Sequence, residues 1–233
     1  YGWPSRDIER VATHLRERDV PLVEDCAQAF GAPGVGTHGD AAAISFYPTK
    51  PLGGIGDGGA VCFKDERWAD WARKRRNHGR DAGNHQWFAG YNSRLDAAVL
   101  VHRLANYDVN LTARRANIDE YARFGFPAEP LTAEGSSLAA PYVLPLTVSA
   151  KGRAFIRQTL ADAGIPSGVY YDPPLSGLPY LTRRQQNRCP SADQRAREMI
   201  ALPCHHKLSR EDVKQISMEL AGVLIASLLE TPS

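Results

Sequence analysis

The chain has 233 residues, enough to bury a substantial core as one large domain or a domain and a half. Hydrophobic residues make up 43% and charged residues 23%, and 28 Lys and Arg against 26 Asp and Glu leave a net charge of +2. A charge that small supplies no field that would argue for a nucleic-acid or membrane-surface partner, and no apolar run approaches the roughly 20 residues that span a bilayer.

The N-terminal YGWPSRDIER has neither the apolar stretch nor the cleavage site of a secretory signal. The chain opens on Tyr1 rather than Met, a short step before a helical pattern, as if cut from something longer. Cys26, Cys62, Cys189 and Cys204 form no C-x-x-C pair and no zinc spacing, which reads as free thiols in a reducing, cytoplasmic compartment and predicts no metal site.

In chain order, Ile8, Val11, Ala12 and Leu15 recur at helical spacing and predict a helix over 5–18 capped by Ser5. The run Val20 to Val23, ending on Glu24 and Asp25, predicts a buried parallel strand that delivers acidic groups at its C-terminal edge. A second strand is expected over 41–47, then the glycine-dense loop GGIGDGG (53–59), a third strand over 60–63 and a helix over 65–76. Strands alternating with helices predict an α/β layer with a mainly parallel sheet.

Residues 77–92 read as irregular, and 94–124 as one long helix weakened at 110–112. The Pro-, Gly- and Ser-rich piece 125–141 predicts a domain crossing. Beyond it, PYVLPLTV (141–148), GRAFIRQTLADAG (152–164) and PSGVYY (166–171) predict a β-α-β unit; 172–190 reads as loop and 209–229 as a terminal helix capped by Ser209. The expected division is 1–124, the later part of a large domain, and 125–233, a smaller α/β domain.

Asp25 and Lys50 each fall just beyond the end of a predicted strand, where open α/β sheets place their ligand-binding groups. Alone, the aspartate would read as a hydrogen-bond acceptor and the lysine as a solvated loop residue. Pro48, Pro51 and the glycines around Lys50 form a rigid, open frame in which its amine could be partly desolvated. GGIGDGG is not a dinucleotide fingerprint, because it lacks the G-x-G-x-x-G order after a strand. The basic run ARKRRNHGR reads as a helix end, since cations are favoured at a helix C-terminus. Trp68 and Trp71 read as helix packing, and His205 and His206 as surface or packing residues.

Together, VEDCAQAFG (23–31) and GDAAAISFYPTKPLGGIGDGGAV (39–61) resemble the core of the DegT/StrS nucleotide-sugar aminotransferases. RNHGR (76–80), GYNSRLDA (90–97) and ALPCHHKLSREDV (201–213) extend the resemblance to about residue 220. It implies the aspartate-aminotransferase fold, PLP fold type I, with a smaller C-terminal α+β domain. It also implies that pyridoxal 5'-phosphate is held as a Schiff base on Lys50, which then serves as the proton-moving base. Asp25 is implied to pair with the pyridine nitrogen, Gln28 to contact the ring or its phenolic oxygen, and Ser45 to bind the phosphate. Asn92 would reach the neighbouring subunit's phosphate, implying a homodimer with shared sites, and Arg94 would contact substrate or phosphate.

The implied reaction moves an amino group from glutamate or glutamine to a nucleotide-linked keto sugar, in polysaccharide or antibiotic-sugar biosynthesis. Lys50 stands where the dehydratase branch has His. The rival readings are a catalytically silent or regulatory relative and, within the fold, an aldolase or desulfurase. Three departures from the family pattern stand out. The N-terminal portion with a Gly-Ser/Thr phosphate loop and a stacking aromatic is not in this chain. Asp96 runs directly into Ala97 and Ala98, which shortens the start of the helix, and Ser176 follows Pro174-Leu175 where His is usual.

Overall fold

The computed structural model describes residues 1–79, 94–126, 138–179, 181 and 189–229. It divides into two compact units, one of Gly2–Thr112 with Ser137–Tyr142, the other of Tyr1, Ala113–Ser136 and Val143–Ser233.

The first unit is built on a three-stranded sheet: β1 (Val23–Asp25), β2 (Ala41–Phe46) and β3 (Gly58–Phe63), in that order. β1 and β2 are parallel, with Asp25 beside Ala43, whereas β2 and β3 are antiparallel, with Ser45 beside Gly59. The expected mainly parallel arrangement therefore holds only for the first pair. A parallel return needs a crossover element, and the chain goes from β2 to β3 through a helix-free loop, so the third strand comes back antiparallel. It also starts two residues early, on Gly58 and Gly59.

Strand alternation gives this sheet two different faces. One carries Glu24 and Ala42, both buried. The other carries Val23, 66% exposed, with Asp25, Ala43, Ser45 and Val61, 57% exposed. β1 is thus not buried on both sides, as a continuous apolar run would suggest, but on one.

Helix α1 (Ile8–Arg16) starts later than expected, with Asp7 rather than Ser5 at its N-cap. Helix α2 (Glu66–Arg76) is capped by Asp65, whose carboxylate accepts the Arg67 N–H, and ends on Arg73, Lys74, Arg75 and Arg76. Trp68 and Trp71 lie on its exposed surface and pack on each other edge to face, 6.2 Å between centroids, with the Arg75 guanidinium 5.1 Å from the Trp71 ring. Their packing is mutual rather than into a core.

The predicted long helix is two: α3 (Arg94–Leu104) and α4 (Tyr107–Arg123), broken at 105–106 rather than weakened at 110–112. The break allows Tyr107 and Leu111 to pack with Ala32, Leu52 and Ala140, while the Tyr107 hydroxyl donates to the Phe30 carbonyl. Tertiary contacts here override a weak local signal.

In the second unit, β4 (Leu144–Thr147) pairs antiparallel with β5 (Met199–Leu202), and α5 (Arg153–Asp162) and α7 (Arg210–Leu229) pack together. The expected strand over 166–171 reduces to a single bridge from Gly168 to Ala201. The strand β5, and the helix α6 (Pro190–Glu198) that runs directly into it, form just beyond the expected loop, in a stretch for which the sequence predicted no element. Ser209 caps α7 as expected, exchanging hydrogen bonds with Asp212. Leu144, Ile156, Leu160, Ile200, Val213 and Leu220 are fully buried.

Candidate active site

The sheet edge where β1 and β2 both end is the natural place to look, because parallel neighbours present their C-terminal ends on the same side. Asp25 is the last residue of β1, and Ser45 lies next to the end of β2; register puts both side chains on the exposed sheet face. Between and beside them stand Ala43 and Gly59, so the floor is of small residues that leave room for a flat group. Asp25 is exposed and accepts the Ala27 N–H at 3.0 Å. That bond uses one carboxylate oxygen and leaves acceptor capacity on the other. Gln28 lies half-buried in the turn that follows β1.

The next residue on the strand holds this arrangement from behind. Glu24 is buried on the opposite face, where its carboxylate accepts backbone N–H groups from Gly36 (2.9 Å), His38 (2.7 Å) and Gly39 (2.6 Å). Burial pushes this carboxyl up, but the hydrogen bonds from Gly39, Gly36 and His38 outweigh it and hold Glu24 below the usual carboxylate value. In the sequence Glu24 is only part of an acidic strand end; strand alternation is the signal that it and Asp25 face opposite ways.

Lys50 follows β2 in a half-buried position. Its Nζ lies 4.9 Å from the centroid of the Tyr142 ring, and the Tyr142 hydroxyl shares a 3.0 Å hydrogen bond with the Thr49 hydroxyl. Tyr142 is itself buried, so it offers the amine a fixed aromatic face. Neither Thr49 nor Tyr142 was marked by the sequence: Tyr142 lies 92 positions from Lys50, and no local pattern links them. The loop that carries Lys50 leaves β2 just after Phe46, and the Ser45 hydroxyl accepts the Tyr47 N–H at 3.3 Å at its start.

Asp25, Ser45 and Lys50 thus share one edge, with Gln28 in the adjoining turn. Arg94 is exposed at the first residue of α3. Asn92 lies outside the described residues, as does Arg80 of the RNHGR segment. Cys26 and Cys204 are pushed up to about 11 by burial, which leaves them as thiols rather than nucleophiles. Among the described residues no cluster of His, Cys, Asp and Glu could hold a metal ion, and no helix is long and apolar enough to cross a membrane.

The donor set suits a phosphorylated pyridine aldehyde: an amine, an anion and a hydroxyl along one edge, over a floor of alanine and glycine. Comparison with known proteins points the same way. The chain is 31% identical to a UDP-2-acetamido-2-deoxy-3-oxo-D-glucuronate aminotransferase of Pseudomonas aeruginosa, over 93% of this chain and 62% of that protein. It is 34% identical to a dTDP-3-amino-3,4,6-trideoxy-alpha-D-glucose transaminase of Streptomyces venezuelae, over 93% of this chain and 59% of that one. A crystal structure of a DegT DnrJ EryC1 StrS aminotransferase from Brucella abortus superposes with a TM-score of 0.80 at 27% identity, covering 94% of this chain and 61% of that one. The chain therefore spans about three-fifths of the length of the relatives it matches. Its fold is that of the DegT-type aminotransferases, as the motifs led one to expect. The model of the DegT/DnrJ/EryC1/StrS aminotransferase family matches residues 1–221, and the chain belongs to that family.

Proposed function

We propose that this chain is the greater part of a PLP-dependent aminotransferase that moves an amino group from glutamate or glutamine to a keto sugar carried on a nucleotide. The observation that carries the reading is that Asp25 and Ser45 stand on one face of the sheet, beside Ala43 and Gly59, at the strand ends from which the Lys50 loop departs. The nucleotide-sugar substrates in the names of its relatives support the substrate class.

When bound, pyridoxal 5'-phosphate supplies an electron sink for a substrate amine that loses a proton from carbon. The chain's own groups divide the remaining work. The Lys50 amine is the attachment point for the aldehyde and, once displaced by a substrate amine, the base that carries the proton from one carbon to the other. The Asp25 carboxylate keeps a proton on the ring nitrogen, and an anion is required there because neutral pyridine withdraws electrons poorly. Gln28 contacts the ring or its phenolic oxygen, and the Ser45 hydroxyl binds phosphate. Arg94 contacts the substrate or its phosphates. Asn92 serves the partner's cofactor in a homodimer, and the assembly works in the cytoplasm.

The test is borohydride reduction of the protein with pyridoxal 5'-phosphate, followed by peptide mass spectrometry, on this chain and on the longest reading frame containing it. The expected result is one phosphopyridoxyl group, on Lys50, and complete loss of labelling in Lys50→Ala. No label would favour the silent relative. A label without amine transfer from glutamate to any keto sugar would favour another enzyme of the same fold.

A further inference from the structure

The loop that carries Lys50 is closed at its base and held there from a helix. Phe46 is the last residue of β2, and its carbonyl accepts the Gly54 N–H at 2.7 Å, so residues 47–53 form an excursion with Lys50 near its tip. The Lys50 N–H bonds the Tyr47 carbonyl at 2.9 Å within that excursion. Gly53 folds back so closely that a Cβ there would lie 2.3 Å from the Pro48 carbonyl oxygen.

Two charged side chains of α3 grip the neck. Asp96 is 5% exposed, and its Oδ1 accepts the Ile55 N–H at 2.8 Å. Two helical turns further along, Arg103 Nη1 donates to the carbonyls of Gly53 and, at 3.0 Å, Gly54. The acid therefore takes the neck's free N–H and the base takes its free carbonyls. The glycines are what let the acid come so near: a Cβ on Gly54 would lie 2.2 Å from Asp96 Oδ1, and one on Gly58 2.7 Å from Oδ2. The glycine-dense GGIGDGG segment, which lacks the dinucleotide fingerprint, is in this way a cradle for a carboxylate.

We propose that Asp96 and Arg103 are positioning residues for Lys50. They fix the neck from which the lysine projects, and a reaction that needs one amine to reach two carbons depends on that placement. The inference rests on the reading of Lys50 as the reactive amine.

The experiment uses the 233-residue chain without cofactor and measures competitive acetylation of its lysines, alongside amide exchange at Gly54 and Ile55. Arg103→Met and Asp96→Ala are the test variants. Arg103→Lys, which keeps a donor for the two carbonyls, is the conservative control. We expect labelling at Lys50 to change about fivefold in the two test variants, and exchange at Gly54 and Ile55 to quicken by a similar factor, the worth of one lost hydrogen bond. Lys64 and Lys151 should label as in the parent, and Arg103→Lys should stay close to it. An unchanged Lys50, or Lys50, Lys64 and Lys151 changing together, overturns the proposal. Should Asp96→Ala fail to fold, the Arg103 pair decides alone. Because no cofactor is present, this result stands apart from borohydride trapping, whose failure would overturn the aminotransferase reading and leave the neck intact.

Discussion

The two units of this chain are held together by different physics. In the unit that contains β4, β5, α5 and α7, large apolar side chains such as Ile156, Leu160, Ile200 and Leu220 are entirely buried. In the unit that contains β1–β3, a smaller apolar cluster around Tyr107 and Leu111 is joined by backbone groups gathered around carboxylates: Gly36, His38 and Gly39 around Glu24, and Ile55 around Asp96. One face of its sheet is open, with Val23 and Val61 more than half exposed. The candidate catalytic groups all lie in the second kind of environment. Loops full of glycine cannot be placed by apolar packing, since they have no side chains to pack; they must be placed by their N–H and C=O groups, and a buried carboxylate that accepts several N–H groups does this at short range.

The strongest way to break the contrast is Leu160→Ala, which leaves a cavity in a packed core and should cost about 2–5 kcal/mol. Hydrogen exchange at Ile156 and Ile200 would show the loss. Tryptophan emission reports the other side of the comparison, since the four tryptophans are at 3, 68, 71 and 87. If the apolar core of one unit governs it, exchange there should accelerate well before that emission changes.

Glu24→Gln tests the carboxylate-held unit. It puts an amide donor against one of three backbone donors, and should cost about 1–3 kcal/mol in the transition seen by tryptophan emission. Acid separates the units further. Glu24 is held below its ordinary 4.5 despite its burial, so its contribution is full above about that pH and is lost as pH falls through its lowered value. In the other unit, burial and then the Arg114 charge lower His205 and His206 below 6.5. Their neutral forms are favoured by folding, so stability is full above 6.5 and declines as pH drops toward their lowered values. Acidification should therefore weaken the histidine-containing unit first and the Glu24 unit later, and Glu24→Gln should flatten only the later limb.

The smallest effect is expected at Trp68→Ala. The ring is exposed and its edge-to-face contact is with another exposed ring, so the change should stay within about 1 kcal/mol by thermal denaturation. A larger loss would mean that the open unit depends on aromatic packing after all, and would narrow the contrast.

Much of the candidate site was legible before the fold. The strand end at Asp25 followed from a short apolar run, Ser45 from the resemblance of its motif, and Lys50 stood out by its company of Pro48, Pro51 and glycines. The fold of the family could be read from motifs because they carry backbone demands, such as glycines at 53–59, that few folds make. What escaped was set by partners far away in sequence. The break at 105–106 exists because Tyr107 and Leu111 find a core with Ala32 and Leu52. The strand Met199–Leu202 exists because Leu144–Thr147 is there to pair with it.

By itself, then, the sequence determined the chemistry on offer: an amine, a carboxylate and a hydroxyl, each at a strand end, in an order specific enough to name the family. Only the tertiary structure decided how those groups are held. Strand register turned Asp25 and Ser45 onto one face and Glu24 onto the other. The approach of α3 made Asp96 and Arg103 the grip on the lysine's loop, and the return of Tyr142 gave the amine its aromatic neighbour. These contacts join residues 41 to 93 positions apart, and local pattern carries no information about a partner at that separation until the chain has closed upon itself.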